Sequence, residues 1–234
     1  MLRIVKAVVI LAAVIGVYQV AAIANGTGMP PPASSTPAAA PARAMTPEEM
    51  AVEAYNSGLE HRDKGLKAEE KATAAKKDSD KVKEEKKARE EYEKAFKDFK
   101  KSADLNPKLP QALNGMGFAY RKLGDYPKAL EMYDKTLEMA PNFPDAIEYR
   151  GEAYLGLNRL DDAKQAYLSL FAMDRKQADM LMKAMKDYIA KKKTDPAGVD
   201  PAALSTFESW VQERGGLAEQ TRLMALNVPP GSWR

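Results

Sequence analysis

Residues 112–141 read ALNGMGFAYRKLGDYPKALEMYDKTLEMAP. Thirty-four positions further on, residues 146–175 read AIEYRGEAYLGLNRLDDAKQAYLSLFAMDR. The two stretches share an order of residue types more than identities. Ala129 and Ala163 are each followed at the fourth place by Tyr133 and Tyr167, and Gly117 and Gly151 at the third place by Tyr120 and Tyr154. The register extends backwards. Ala95 precedes Ala129 by the same 34 residues and has Phe99 at its fourth place, and Pro107 and Pro141 close the two earlier copies. A fixed period of this length marks stacked supersecondary units, each burying its apolar face only against a neighbour.

The positions have physical meanings. Glycine inside a helix costs about 1 kcal/mol against alanine, so Gly117 and Gly151 are expected where the next helix crosses too closely for a side chain. Ala129 and Ala163 are the small residues expected to face that crossing. Tyr120, Tyr133, Tyr154 and Tyr167 fill the space between helices. Leu123-Gly124-Asp125 and Leu157-Asn158-Arg159 break each helical pair, and Pro141 with Pro144 ends one unit and opens the next.

Leu113, Met116, Gly117, Tyr120, Ala129, Tyr133 and Pro141 together resemble the tetratricopeptide repeat. Ile147, Gly151, Tyr154, Ala163 and Tyr167 resemble it again, over about residues 110 to 175 in all. Two departures stand in this copy: Arg150 replaces an apolar residue, and Arg175 stands where proline belongs, so the chain is expected to run almost directly into a further helix. The resemblance implies an all-α fold, a short α-solenoid of about three helix–turn–helix units at 46–108, 109–142 and 143–176, with capping helices after them.

The first unit is split. Its second helix is clear in YEKAFKDFKKSADLNP, residues 92–107, but the nearest first-helix match is Ala54 to Gly58, followed by His61 where tyrosine is usual. Gly58 lies 37 residues before Ala95, whereas Gly117 lies 12 before Ala129, which leaves a 25-residue insertion. With no proline between Glu48 and Asn106 and a turn cluster at Lys77-Asp78-Ser79-Asp80, the stretch predicts two elongated antiparallel helices at about 47–76 and 80–104. Their arms are rich in Lys, Glu and Ala. Spacing suggests i,i+4 pairs such as Glu60–Lys64, Glu85–Arg89 and Glu90–Lys94, and apolar cover is thin. Thr46 is the expected N-cap, with Pro47 in the first turn and Glu48 and Glu49 facing the positive end of the dipole.

The N-terminus reads as an export signal at 1–24. Arg3 and Lys6 precede the uncharged run AVVILAAVIGVYQVAAIA from Ala7 to Ala24, and Ala22-Ile23-Ala24 gives a small-residue exit. An uncleaved membrane anchor is the rival reading, with the run at the low end of spanning length. Either reading points to a periplasmic or otherwise exported chain, or to one held at the inner membrane. Residues 25–45 are a Pro/Ala-rich linker. At the other end, a capping helix is expected at 177–193 with Met180, Leu181, Ala184, Met185, Tyr188 and Ile189 on its apolar face. Within 194–234, a helix starts at Asp200-Pro201, buries Leu204, Phe207, Trp210 and Val211, and ends at Gly215-Gly216. A short helix over about 217–225 follows, and the tail ends in Trp233-Arg234.

The chemistry of the chain narrows its function. Lys and Arg number 36 against 33 acids, a formal net charge of +3, which gives no electrostatic case for nucleic acid. There is no cysteine and one histidine, His61, so disulfides, Cys-based zinc sites, Cys nucleophiles and covalent haem attachment drop out. No phosphate loop, triad or metal-ligand spacing is visible, so no catalytic residue, cofactor or metal is expected. The family resemblance implies a groove lined by the first helix of each unit: Tyr55, Leu59 and Arg62, then Gln111, Asn114, Phe118 and Arg121, then Asp145, Glu148, Glu152 and Leu155. Residues that clamp a carboxylate-terminated chaperone tail are not evident, and Glu148 and Glu152 would repel one. The leading expectation is an exported, non-catalytic adaptor that grips a protein or peptide in envelope assembly or secretion. A structural spacer or homo-oligomer using the charged arms is the alternative, and an uncharacterised hydrolase a weaker one.

Overall fold

The computed structural model describes residues 43–227, with side chains to 221. The expected leader or anchor at 1–24, nearly all of the linker and the Trp233 tail lie outside these residues. Every regular element among the described residues is an α-helix: α1 (Pro47–Ala74), α2 (Asp78–Leu105), α3 (Pro110–Lys122), α4 (Tyr126–Met139), α5 (Pro144–Gly156), α6 (Leu160–Met173), α7 (Arg175–Thr194) and α8 (Pro201–Asn227). Consecutive helices pack as antiparallel pairs, and α1, α3, α5 and α7 also neighbour one another in that order. The result is a short α-solenoid. Among the described residues no helix is long and apolar enough to cross a membrane.

Local chemistry sets the helix ends. Thr46 and Glu49 form a reciprocal capping box, Glu49 N–H donating to Thr46 Oγ1 at 3.2 Å and Thr46 N–H to Glu49 Oε2 at 2.8 Å. The turns within the regular pairs both need left-handed backbone. Gly124 has φ 87° and, 34 residues later, Asn158 has φ 57°. Asparagine tolerates that region when its side chain is held. Here Asn158 Nδ2 donates to the Gly198 carbonyl at 2.7 Å and its Oδ1 accepts from the Tyr188 hydroxyl at 2.8 Å, so the turn is tied to α7 and the loop after it. With no proline at Arg175, Asp174 serves both as C-cap of α6 and N-cap of α7.

The packing corrects one expectation about glycine. A Cβ on Gly117 would lie 2.5 Å from Tyr133 Cε1, and one on Gly58 2.6 Å from the Phe99 ring. The space each glycine leaves is filled by an aromatic ring of the partner helix, not by its backbone. At Gly151 the occupant is Leu181 of α7, 2.6 Å from where the Cβ would be. Ala95, Ala129 and Ala163 are fully buried beside these rings.

The long hairpin turns at residues 75–77, slightly before the acidic cluster. Lys77 is its N-cap and makes no side-chain cap bond, while Asp78 and Asp80 fall in the first turn of α2. Both aspartates therefore act on the helix dipole instead of capping. The suggested i,i+4 pairs give way to Lys81–Glu85 and Lys86–Glu90, each at 3.9 Å. The apolar cover is also denser than aliphatic counting implies. Ala51, Ala54, Gly58, Gly65, Ala68 and Ala72 form a buried small-residue seam along α1, and Gly65 receives the Tyr92 ring one heptad beyond the Gly58–Phe99 contact.

At the C-terminal end, α7 buries Leu181, Met182, Met185 and Ile189, and Met180 is exposed where it was expected to be covered. Leu204, Phe207 and Val211 of α8 close the core, with Trp210 edge-on to Tyr167 at 5.6 Å. Helix α8 does not stop at Gly215-Gly216. Neither glycine adopts positive φ, and Leu217-Ala218-Glu219-Gln220 propagate the helix well enough to carry it to Asn227 as one element.

A candidate peptide-binding groove

The face made by α1, α3, α5 and α7 carries the side chains that spacing assigns to a groove. On α3, Gln111, Asn114, Phe118 and Arg121 recur at helical intervals along one side. Arg121 is the centre of the arrangement. Its guanidinium lies 5.3 Å from the Phe118 ring centroid and 5.0 Å from that of Tyr149, and it pairs with Glu152 across to α5. Phe118 meets Tyr149 edge-on at 5.4 Å. Arginine between two rings and a carboxylate keeps its charge while its stem is packed.

The expected residues have different fates. Phe118 and Leu155 are buried in apolar clusters and act as core. Asn114 is buried, and Glu148 is wholly so. Tyr55, Leu59, Arg62, Gln111, Arg121, Asp145 and Glu152 are half-buried on the face. Asp145 accepts a hydrogen bond from Gln177 Nε2 of α7, and Arg62 pairs with its neighbour Asp63 at 2.8 Å. The reading from sequence missed Tyr149, Lys122 and Gln177. Tyr149 stands one turn after Asp145, so a strict i,i+4 count on α5 finds it. Lys122 follows Arg121 directly and reaches Glu69 of α1 at 2.5 Å, a partner 53 residues away that no local pattern shows.

Burial dominates the electrostatics. It pushes the Glu148 carboxyl up to about 7, against the opposing pull of Arg121. It raises Asp145 and the hydroxyls of Tyr55 and Tyr149 as well, and depresses Lys122 despite its bond to Glu69. Several buried polar atoms on the face have no hydrogen-bond partner: Gln111 Oε1, Asn114 Oδ1, Arg121 Nε, both carboxylate oxygens of Glu148 and Gln177 Oε1. They come from three adjacent inner helices.

His61 sits in the long hairpin, away from this cluster. Its Nδ1 is 2.7 Å from Glu91 Oε2, Glu91 also accepts from Lys94 at 2.7 Å, and Ser57 donates to Asp98 at 2.6 Å. Lys94 and His61 together hold the Glu91 carboxyl below its usual range. Ser57 bonds the aspartate and not the histidine, so these side chains tie α1 to α2 and do not form a nucleophile with its base. No group of three or more candidate ligands for a metal ion occurs among the described residues.

Antiparallel helical pairs stacked so that their first helices share a face define a helical-repeat architecture. The particular repeat is the one that the tetratricopeptide-repeat family model describes, and that model matches residues 110–143 of this chain. Among solved structures, the first such domain of human RPAP3 is similar at 18% identity, over 63% of this chain and 98% of that one, with a TM-score of 0.46. The domain of Arabidopsis OM64 is 18% identical over 55% and 98%, at 0.38. That of Sgt2 from Aspergillus fumigatus is 19% identical over 67% and 82%, at 0.35. No curated protein matches the chain.

Proposed function

We propose that this protein is a non-catalytic adaptor that holds a segment of another protein against the face of α1, α3, α5 and α7. The observation that carries the reading is that Tyr55, Leu59, Arg62, Gln111, Arg121, Asp145 and Glu152 stand half-buried together on that one face. A partner segment lying along the face would cover what these side chains leave accessible and could bond their polar ends. The export-type leader of residues 1–24 favours a site of action in the cell envelope, and a mature N-terminus at Asn25 is the matching expectation.

The test is site-specific photo-cross-linking in the native cells. A benzophenone amino acid at Leu59, half-buried on the groove face, is expected to trap a defined partner. The same group at Glu131, exposed on α4, is expected not to. Equal adducts from both positions, or adducts from Glu131 alone, would remove the groove from the argument.

A further inference from the structure

We infer that Trp233 lies in the cleft between α7 and the far half of α8, with its indole against Gly215, and closes this end of the solenoid.

The cleft has a volume of about 640 Å³ and opens between Arg175, Met182 and Lys186 of α7 and Gly215, Ala218 and Thr221 of α8. Buried Met182 is its apolar floor. Glycines elsewhere in these helices show what belongs in such a place. Gly58, Gly65, Gly115, Gly117 and Gly156 each leave the position of a Cβ to an aromatic ring of a neighbouring helix: Phe99, Tyr92, Phe99 again, Tyr133 and Tyr126. Gly151 leaves it to Leu181. At Gly215 the nearest atoms are only the end of a flexible side chain, Lys186 Nζ at 3.6 Å and Cε at 3.8 Å. Glycine weakens a helix, and Gly216 follows at once, yet α8 runs through both to Asn227. From Gln212 to Thr221 no side chain of α8 is buried. A helical segment this short has little stability of its own in water, so it needs something to pack against.

The same chain supplies the occupant. Residues 228–234 read VPPGSWR, and Trp233 is the one aromatic residue after Trp210. Pro229 and Pro230 disfavour further helix and favour an extended path. Six residues of chain lead from Asn227 to Trp233, enough to span about 20 Å. Gly215 lies 12 residues before Asn227, about 18 Å back along α8. The cleft suits an indole. Arg175, Lys183 and Lys186 place cations around it, which the face of the ring attracts, and Met182 offers a polarisable thioether. Lys183 is held by Asp187 at 2.5 Å, so Lys186 is the cation that swings over the ring. Residues 228–234 hold no acidic side chain that would compete for these charges. Solenoids need their last apolar surface covered, and the tail does this here. Arg175, Asp179, Met182 and Lys186 recur at helical spacing on one side of α7, whereas Gln177 faces Asp145 on another. The inference therefore stands independently of the groove reading.

The experiment reads Trp233 by fluorescence in the full chain. Trp210→Phe leaves Trp233 as the only tryptophan. Its emission is expected to lie to the blue of that of the urea-unfolded chain, and it should lose most of its access to acrylamide. Gly215→Leu puts a side chain where the ring would lie and favours helix, so it should restore full quenching without unfolding the protein. Gly216→Ala, with nothing within 4 Å of its Cβ position, should leave the protection intact. Quenching as free as in the unfolded chain would overturn the inference. So would protection that survives Gly215→Leu, which would put the ring elsewhere, and protection lost on dilution, which would mean that a second copy supplies it. With Trp210 kept, Trp233→Ala should speed hydrogen exchange over residues 212–227, and unchanged exchange there would also overturn the inference. Circular dichroism of each variant verifies that it folds.

Discussion

The long hairpin of α1 and α2 and the regular pair of α3 and α4 are built on the same contact and finish differently. In the regular pair, Gly117 receives Tyr133 and the helices end within two turns of it. In the hairpin, Gly58 receives Phe99, the contact recurs one heptad out as Gly65 with Tyr92, and the helices then run on with only alanines at the seam, Ala68, Ala72 and Ala88. The inserted residues thus prolong the unit's own seam outward. Beyond Tyr92 no large apolar side chain is buried, so the hairpin's outer arm depends on close backbone approach and on the ion pairs along its surface, each worth a few tenths of a kcal/mol. The inner end belongs to the solenoid; the outer end stands on marginal local stability.

Removing the rings is the most severe way to break that comparison. Tyr133→Ala deletes a fully buried ring at the centre of the solenoid, and a loss of about 3–5 kcal/mol is expected in urea denaturation. Tyr92→Ala removes a ring of the same size that also meets Phe118 edge-on at 5.9 Å, but the damage should be distributed differently. Hydrogen exchange should accelerate across the outer arm, residues 66–90, while α4 to α6 keep their protection. Uniform acceleration in Tyr92→Ala would mean that hairpin and solenoid unfold as one unit.

The next effect contrasts a charged groove floor with the apolar pairs behind it. Glu148 keeps its proton to about pH 7 in the folded chain, whereas in the unfolded chain it releases it near the ordinary glutamate value. The folded state therefore binds more protons between those two values, and stability falls as pH rises through that window. The penalty is absent below about pH 4 and complete above about pH 8, where it amounts to about 3 kcal/mol at most. Glu148→Gln has no proton to lose. Its stability relative to wild type should grow from pH 4.5 to pH 8, and parallel urea midpoints across that range would rule the effect out.

Much of this was legible in the sequence because the repeat writes its contacts at fixed spacing. The 34-residue return of Gly117, Ala129 and Tyr133 placed α3 to α6, and the missing proline at Arg175 announced the tight passage into α7. The small-residue seam was harder to see. Ala51, Gly58, Gly65 and Ala72 lie seven apart, but alanine and glycine carry little weight in a hydrophobic pattern. The groove was legible as positions and not as environments. Spacing alone assigns Phe118 and Glu148 to one surface, while burial makes the first a core residue and the second an unpaired acid. The reach of Lys122 to Glu69, and of Gln177 to Asp145, depends on how pairs stack, which no local pattern encodes.

The smallest effect separates glycines that are required from glycines that are merely present. Gly65 has the Tyr92 ring where a Cβ would go, so Gly65→Ala gains about 1 kcal/mol of helix propensity but must displace a buried ring, and a net loss of about 1–2 kcal/mol is expected. Gly216, inside α8, has nothing within 4 Å of its Cβ position. Gly216→Ala removes backbone freedom from the unfolded chain and adds no contact in the folded one, so it should stabilise the helix by up to about 1 kcal/mol. That gain belongs to the part of α8 beyond Val211, where no described side chain is buried. It should therefore appear as slower hydrogen exchange over residues 212–227 with little change in the global urea midpoint. A global shift instead would show that this segment is coupled to the core through contacts other than Leu204, Phe207 and Val211. No change at all would show that the helix there ends, in solution, where the two glycines begin.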